Sequence, residues 1–174
     1  MGKNKQTVKL VSFDTSTSDS GYAVYENGIL KKHGSVAFPP SQNRRQKMTM
    51  ALKKILEKEN PSIVAIELTC VPRNTGTQRK LDRLLGAVEC WAWEHDTFFC
   101  EYPPAHWRSL VRGADKVPSG RENKKAWALQ RVKDIFGIDL ANDNIADAIL
   151  IGLAYIKEYS NSVFCDVKFE FDTR

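Results

Sequence analysis

No stretch of this chain offers the roughly 18 consecutive apolar residues that a membrane-crossing helix needs, which excludes a bilayer-spanning role. Histidine is scarce, with three scattered residues, His33, His95 and His106. The four cysteines, Cys70, Cys90, Cys100 and Cys165, form no Cys-x-x-Cys pair and have no histidine at zinc-ligand spacing. A zinc site is therefore excluded, and buried, reduced thiols are expected. The opening Met-Gly-Lys-Asn-Lys-Gln lacks an apolar signal core, and Gln6 stands where a myristoylation signal needs Ser or Thr. Internal repeats, low-complexity tracts and linkers are also missing. A soluble protein of a reducing cytoplasm is the expectation.

What is present suits one domain over 1–174, with a core at about 9–159 and an extension at 160–174. A chain of 174 residues and 19.7 kDa can bury roughly 70% of its unfolded surface in a single core. Its net charge of +5 and pI near 9.0 favour a polyanionic partner without identifying one. The basic residues gather at Arg44, Arg45 and Lys47, at Arg73, Arg79, Lys80 and Arg83, and along Arg108 to Lys133.

Apolar periodicity and turn signals predict strands at Lys9–Phe13, Gly21–Tyr25 and Ile29–Val36, with a hairpin turn at Glu26-Asn27-Gly28. A helix from Ser41, its expected cap, to about Lys58 presents Met48, Ala51, Leu52, Ile55 and Leu56 on one face. Then follow a strand at Ile63–Glu67, a helix at about Gln78–Glu94, a strand at Phe98–Tyr102 and a short helix at His106–Arg112. An open basic loop from Gly113 to Arg121 leads to a helix at Lys124–Phe136 and a final apolar helix around Asp147. The alternation in Val163–Phe171 predicts an added C-terminal strand.

Three carboxylates interrupt this pattern. Asp14 ends an apolar strand in Val11-Ser-Phe-Asp14, Glu67 is the only charge of Ile63-Val-Ala-Ile-Glu67, and Asp147 sits early in Asn144-Ile-Ala-Asp147-Ala-Ile-Leu. Taken singly, Asp14 also suits a turn, Glu67 a strand end, and Asp147 a helix start. Together they are costly to bury unless neutralised, which hard divalent cations such as a pair of Mg²⁺ ions do well.

The order strand-Asp, strand-Glu, helix-Asp, with Gly21 seven residues after Asp14, resembles the RuvC-type Holliday junction resolvases, most closely the bacteriophage-borne members. The resemblance spans about Lys9 to Tyr159. Leu84-Leu-Gly86-Ala-Val-Glu resembles the family's central helix, and Glu101-Tyr-Pro-Pro-Ala-His-Trp-Arg108 its strand-to-helix step. It implies an α/β, ribonuclease H-like fold, a mixed five-stranded sheet flanked by helices. It also implies a homodimeric endodeoxyribonuclease that resolves Holliday junctions and other branched DNA by paired nicks, leaving 5′-phosphate and 3′-hydroxyl ends. A bacterial cytoplasm is the implied setting, and no small-molecule substrate is expected.

By the same resemblance, Asp14, Glu67 and Asp147 hold two Mg²⁺ ions, with Mn²⁺ able to substitute. Lys124 or Lys125 approaches the cleaved phosphate, Arg108, Arg112, Lys116 and Arg121 hold the DNA backbone, and Trp107 is a candidate to stack on an unpaired base. The two-fold interface is expected on Leu81, Leu84, Leu85 and Val88. The chain departs from the family where a fourth acid or a histidine is usual, three positions before the last aspartate, and Asn144 stands there. Asp143 lies one residue earlier, and both share a helix face with Asp147. Asn144 offers a neutral carbonyl ligand and Asp143 a charged one, while a helix-capping role also explains Asp143. A catalytically impaired junction-binding protein and an RNA-processing nuclease of the same fold are the alternatives. The phosphate loops of sugar kinases also resemble Asp14-Thr-Ser-Thr, but those need a second domain that this length cannot hold.

Overall fold

The computed structural model of the chain describes residues 7–68 and 74–159. Strands β1 (Lys9–Asp14), β2 (Asp19–Glu26) and β3 (Ile29–Ala37) are followed by helix α1 (Arg44–Glu59), β4 (Ile63–Glu67) and α2 (Thr75–Glu94). Then come β5 (Phe98–Tyr102), α3 (Pro104–Val111), α4 (Arg121–Phe136) and α5 (Asp143–Tyr159). The five strands form one mixed sheet in the order β3-β2-β1-β4-β5. β1 to β3 are antiparallel, joined between β2 and β3 by a turn with Asn27 and Gly28 at φ 51° and 83°, whereas β4 and β5 run parallel to β1.

The period-2 alternation of the central strands divides the core into two. Val11, Phe13, Val24, Val64 and Ile66 face α1 and α2, meeting Met48, Leu52, Leu56, Leu84 and Trp91. Leu10, Ala23, Tyr25, Ile63 and Ala65 face α3, α4 and α5. β1 and β4 are covered on both faces, which is why their sequences are near-continuous apolar runs rather than alternating ones.

α5 lies directly on the sheet and is buried on every side from Ala148 to Ile156. Each fully buried Leu or Ile there contributes roughly 1.5–3 kcal/mol, so packing rather than helix propensity holds it. Two hydroxyls pin it further: Ser12 Oγ donates to the Ala148 carbonyl (2.7 Å) and Tyr25 Oη to the Ile149 carbonyl (2.6 Å). The approach is close enough that a Cβ on Gly152 would strike the Tyr25 ring, and one on Gly21 would overlap the Asn144 carbonyl. A Gly152→Leu change would lift the helix from the sheet.

The sheet and helix order agree with the sequence, and β4 and β5 match it to the residue. Four local expectations need correction. α1 starts at Arg44 behind Asn43 and not at a Ser41 cap; Ser41 Oγ bonds Asn43 Oδ1 instead (3.3 Å). α2 starts three residues early because Asn74 Oδ1 accepts from the Thr77 N–H (2.9 Å), capping it. Leu81, Leu84 and Val88 are buried in the chain's own core and so are spent as an interface. Cys90 is exposed, not buried. Arg73, Cys70, Cys165 and the expected strand at 163–171 lie outside the described residues. Among those described, no helix is long and apolar enough to cross a membrane.

Candidate active site

β1 and β4 are parallel neighbours, with Phe13 opposite Ile66, so the residues that end them, Asp14 and Glu67, emerge side by side at one edge of the sheet. The first turns of α5 arrive at the same edge with Asp143 and Asp147 four residues apart on one helix face. Asn142 sets that entry: its Oδ1 accepts from the N–H groups of Asn144 (2.9 Å) and Ile145 (3.4 Å), and its amide donates to Asp19 (2.9 Å). Asn142, and not Asp143, is therefore the cap of α5.

The four acids line one cleft of about 370 Å³ together with Arg108, Arg121, Lys124, Lys125 and Asn144. Burial, then repulsion from Glu67 and Asp147, pushes the Asp14 carboxyl well above the usual range, with Arg108 opposing. Burial likewise pushes Asp147 up to about 7; Arg108 pulls it down and Glu67 and Asp143 push it further up. Glu67 is also raised by burial, against the pull of Trp107 and Arg108. Such a cluster favours a proton or a cation over four bare charges.

Arg108 is the cation now nearest. Its Nη2 lies 3.3 Å from Asp147 Oδ2 and 3.8 Å from Glu67 Oε2, its guanidinium stacks on the Trp107 ring at 4.2 Å, and its Nε has no partner. Trp107 is wholly buried and donates from Nε1 to Glu67 Oε2 (2.6 Å). One expectation changes here: Trp107 is committed to Glu67 and cannot stack on a base. Arg108 faces the acids. Neither contact has a local sequence signal, because each joins α3 to a strand end about 40 residues away.

Asp143 and Asn144 also separate. Asp143 raises both Asp14 and Asp147 and pairs with Lys125 (3.2 Å). The Asn144 amide instead donates to the Asp19 backbone carbonyl (3.0 Å), tying α5 to the start of β2. Lys124 and Arg121 border the same cleft, whereas Arg112 and Lys116 lie in an adjoining hollow that shares Arg108 and Lys124 with it.

As placed, no three His, Cys, Asp or Glu side chains among the described residues converge closely enough to enclose one metal ion. Arg108 occupies the space between Glu67 and Asp147 that such an ion would need. The donor set is nonetheless all hard oxygen and carries excess negative charge, so it fits a divalent cation once the guanidinium is displaced.

No family model and no curated protein matches the chain. Solved structures do. Thermus thermophilus RuvC, in complex with a Holliday junction substrate, superimposes with a TM-score of 0.67 at 20% identity over 88% of this chain and 94% of its own. The fowlpox virus Holliday junction resolvase gives 0.59 at 16% identity over 87% and 99%. The yeast mitochondrial Holliday junction resolvase gives 0.55 at 14% over 89% and 84%. At these identities the likeness shows a shared ribonuclease H-like fold.

Proposed function

We propose that the chain is a structure-selective endodeoxyribonuclease that nicks Holliday junctions and other branched DNA. The observation that carries this reading is the convergence of Asp14, Glu67, Asp143 and Asp147 in one cleft rimmed by Lys124, Lys125 and Arg121. It is supported by a fold shared with a RuvC solved on a Holliday junction substrate.

Asp14, Glu67, Asp147 and Asp143 would hold two Mg²⁺ ions, or Mn²⁺ in their place, which supply the Lewis acidity for attack by water on the phosphodiester and for departure of the 3′-oxygen. Lys124 and Lys125 face the negative charge that grows on the phosphate and lower its cost. Release of Asp143 from Lys125 frees that lysine for the substrate. Arg108, displaced from the acids, remains within reach of the scissile phosphate, and its planar fork suits phosphate oxygens. Products carry 5′-phosphate and 3′-hydroxyl ends.

Asp143 is the fourth acid in this reading because its charge already bears on both Asp14 and Asp147, while Asn144, held to Asp19 through its amide nitrogen, offers its carbonyl oxygen as the competing ligand. An acid at that place weakens the alternative of a binding protein without cleavage. Paired nicks across a symmetric junction call for two copies of the chain. With Leu81, Leu84 and Val88 buried and Leu85 partly so, Met50 on α1 and Trp93 on α2, 64% and 68% exposed, are the most exposed apolar groups that layer leaves for a second copy.

The test is to incubate a four-way junction, a matched duplex and a structured RNA side by side with Mg²⁺ and map the nicks. Symmetric nicks confined to the junction are expected. Preferential cutting of the RNA would replace this reading by an RNA-processing one.

A further inference from the structure

The loop between α3 and α4, Arg112-Gly-Ala-Asp-Lys-Val-Pro-Ser-Gly120, is tied down at both ends. Arg131 on α4 donates from Nε to the Val111 carbonyl (2.8 Å), and its Nη1 lies 3.7 Å from Asp115 Oδ2. At the other end Asn123 donates to the Ser119 carbonyl (2.9 Å). The one acid of the loop is thus turned toward Arg131, while Arg112 and Lys116 have no carboxylate partner among the described residues.

These ties hold open a hollow of about 940 Å³ beside the carboxylate cleft. Four cations line it, Arg108, Arg112, Lys116 and Lys124, and no carboxylate does. The rest of its wall is apolar or weakly polar, with Pro103, Pro104, Val117 and Pro118 contributing apolar surface. Its volume lies at the top of the range of roughly 300–1,000 Å³ found for small-molecule sites, room for a few nucleotides of one strand but not for a duplex. Arg108 and Lys124 belong to both cavities, so a ligand filling the hollow continues into the cleft.

We propose that this hollow seats a short single-stranded stretch of the cut strand, immediately beside the phosphate presented to the acids. The cations take the phosphates and the proline wall takes sugars and bases without reading their sequence. This rests on the nuclease reading and adds to it the source of selectivity: DNA must be unpaired next to the nick, a condition that junction centres and frayed branches meet and a closed duplex does not.

Binding of fluorescent pentathymidylate to the full chain, without divalent metal, tests the seat apart from cleavage. Wild type should bind it more tightly than a hairpin whose stem pairs the same five thymidines. Ala105 is exposed on the rim of the hollow, and Ala105→Trp should obstruct its mouth and weaken pentathymidylate about tenfold. Arg112→Gln with Lys116→Gln should weaken it comparably and lower the salt slope by about 2. In cleavage, two unpaired nucleotides beside the mapped nick should speed wild type and give no advantage to Ala105→Trp. Equal affinity for strand and hairpin, or an Ala105→Trp protein with native circular dichroism and unchanged pentathymidylate binding, would overturn the proposal. A wild type that binds pentathymidylate through this hollow yet nicks no branched DNA would overturn the nuclease reading instead and leave the seat standing.

Discussion

Two adjoining cavities share Arg108 and Lys124 and have opposite chemistry. The smaller gathers four carboxylates from β1, β4 and α5, each placed by sheet register or helix face, and three of them titrate above their usual range. The larger has cations on α3, α4 and their connecting loop, and no acid. One is expensive to assemble and rigidly backed by the core; the other is cheap, exposed and built on a tied loop. Chemistry that needs repelling charges held together demands the first kind of support, whereas electrostatic capture of a chain needs only the second.

The strongest way to break this division is to neutralise the acids. Asp14→Asn, Glu67→Gln and Asp147→Asn should each slow single-turnover nicking by on the order of 10³-fold while leaving junction binding by gel shift nearly intact. Wild-type rates in any of them would remove that residue from the site. Removing the shared cation should act on stability. Arg108→Gln leaves buried Glu67 and Asp147 without their partner and should cost about 3 kcal/mol in urea melts without metal, partly restored by Mg²⁺.

Asp147 has a linked pH effect. Its carboxyl rises from 3.8 to about 7 on folding, so between those values the native state binds the extra proton. Stability therefore falls as pH climbs through that window and stays lowered above it. Asp147→Asn should raise the metal-free stability at pH 8, by on the order of 1 kcal/mol or more, and leave it unchanged near pH 3.5. A flat difference across pH would argue that Arg108 already neutralises the group.

Asp143→Asn should then impair nicking and Mg²⁺ affinity, with Asn144→Ala costing only about 1 kcal/mol of stability through its lost bond to Asp19. Reversal of that pattern would make Asn144 the ligand. The smallest effect belongs to the basic hollow: Arg112→Gln or Lys116→Gln alone should change junction affinity a few-fold and flatten the salt slope by about 1 each.

Asp14 and Glu67 were legible because a charge that closes an apolar run is conspicuous whatever surrounds it, and the same runs give β4 and β5 their limits. The contact of Arg108 with the acids was not, since its sequence surroundings suggest only a DNA-backbone contact until the packing of α3 against α5 is known. Helix periodicity puts Asp143 and Asn144 on the same face and cannot choose between them, and what the fold adds is a different tie for each: Asp143 to Lys125, and the Asn144 amide nitrogen to the start of β2, 125 residues away in sequence. Asn142 escaped notice as the cap because Asp143 beside it is equally suitable by residue type.

The burial of α5 also orders events in time. As the chain leaves the ribosome, the strands and α1 to α4 emerge first, and the sheet face that carries Leu10, Ala23 and Tyr25 waits for the last described helix to complete its cover. That helix brings Asp143 and Asp147 with it, so a nascent chain ending before residue 147 has Asp14 and Glu67 but no complete cluster. Assembly of the four acids therefore coincides with closure of the core.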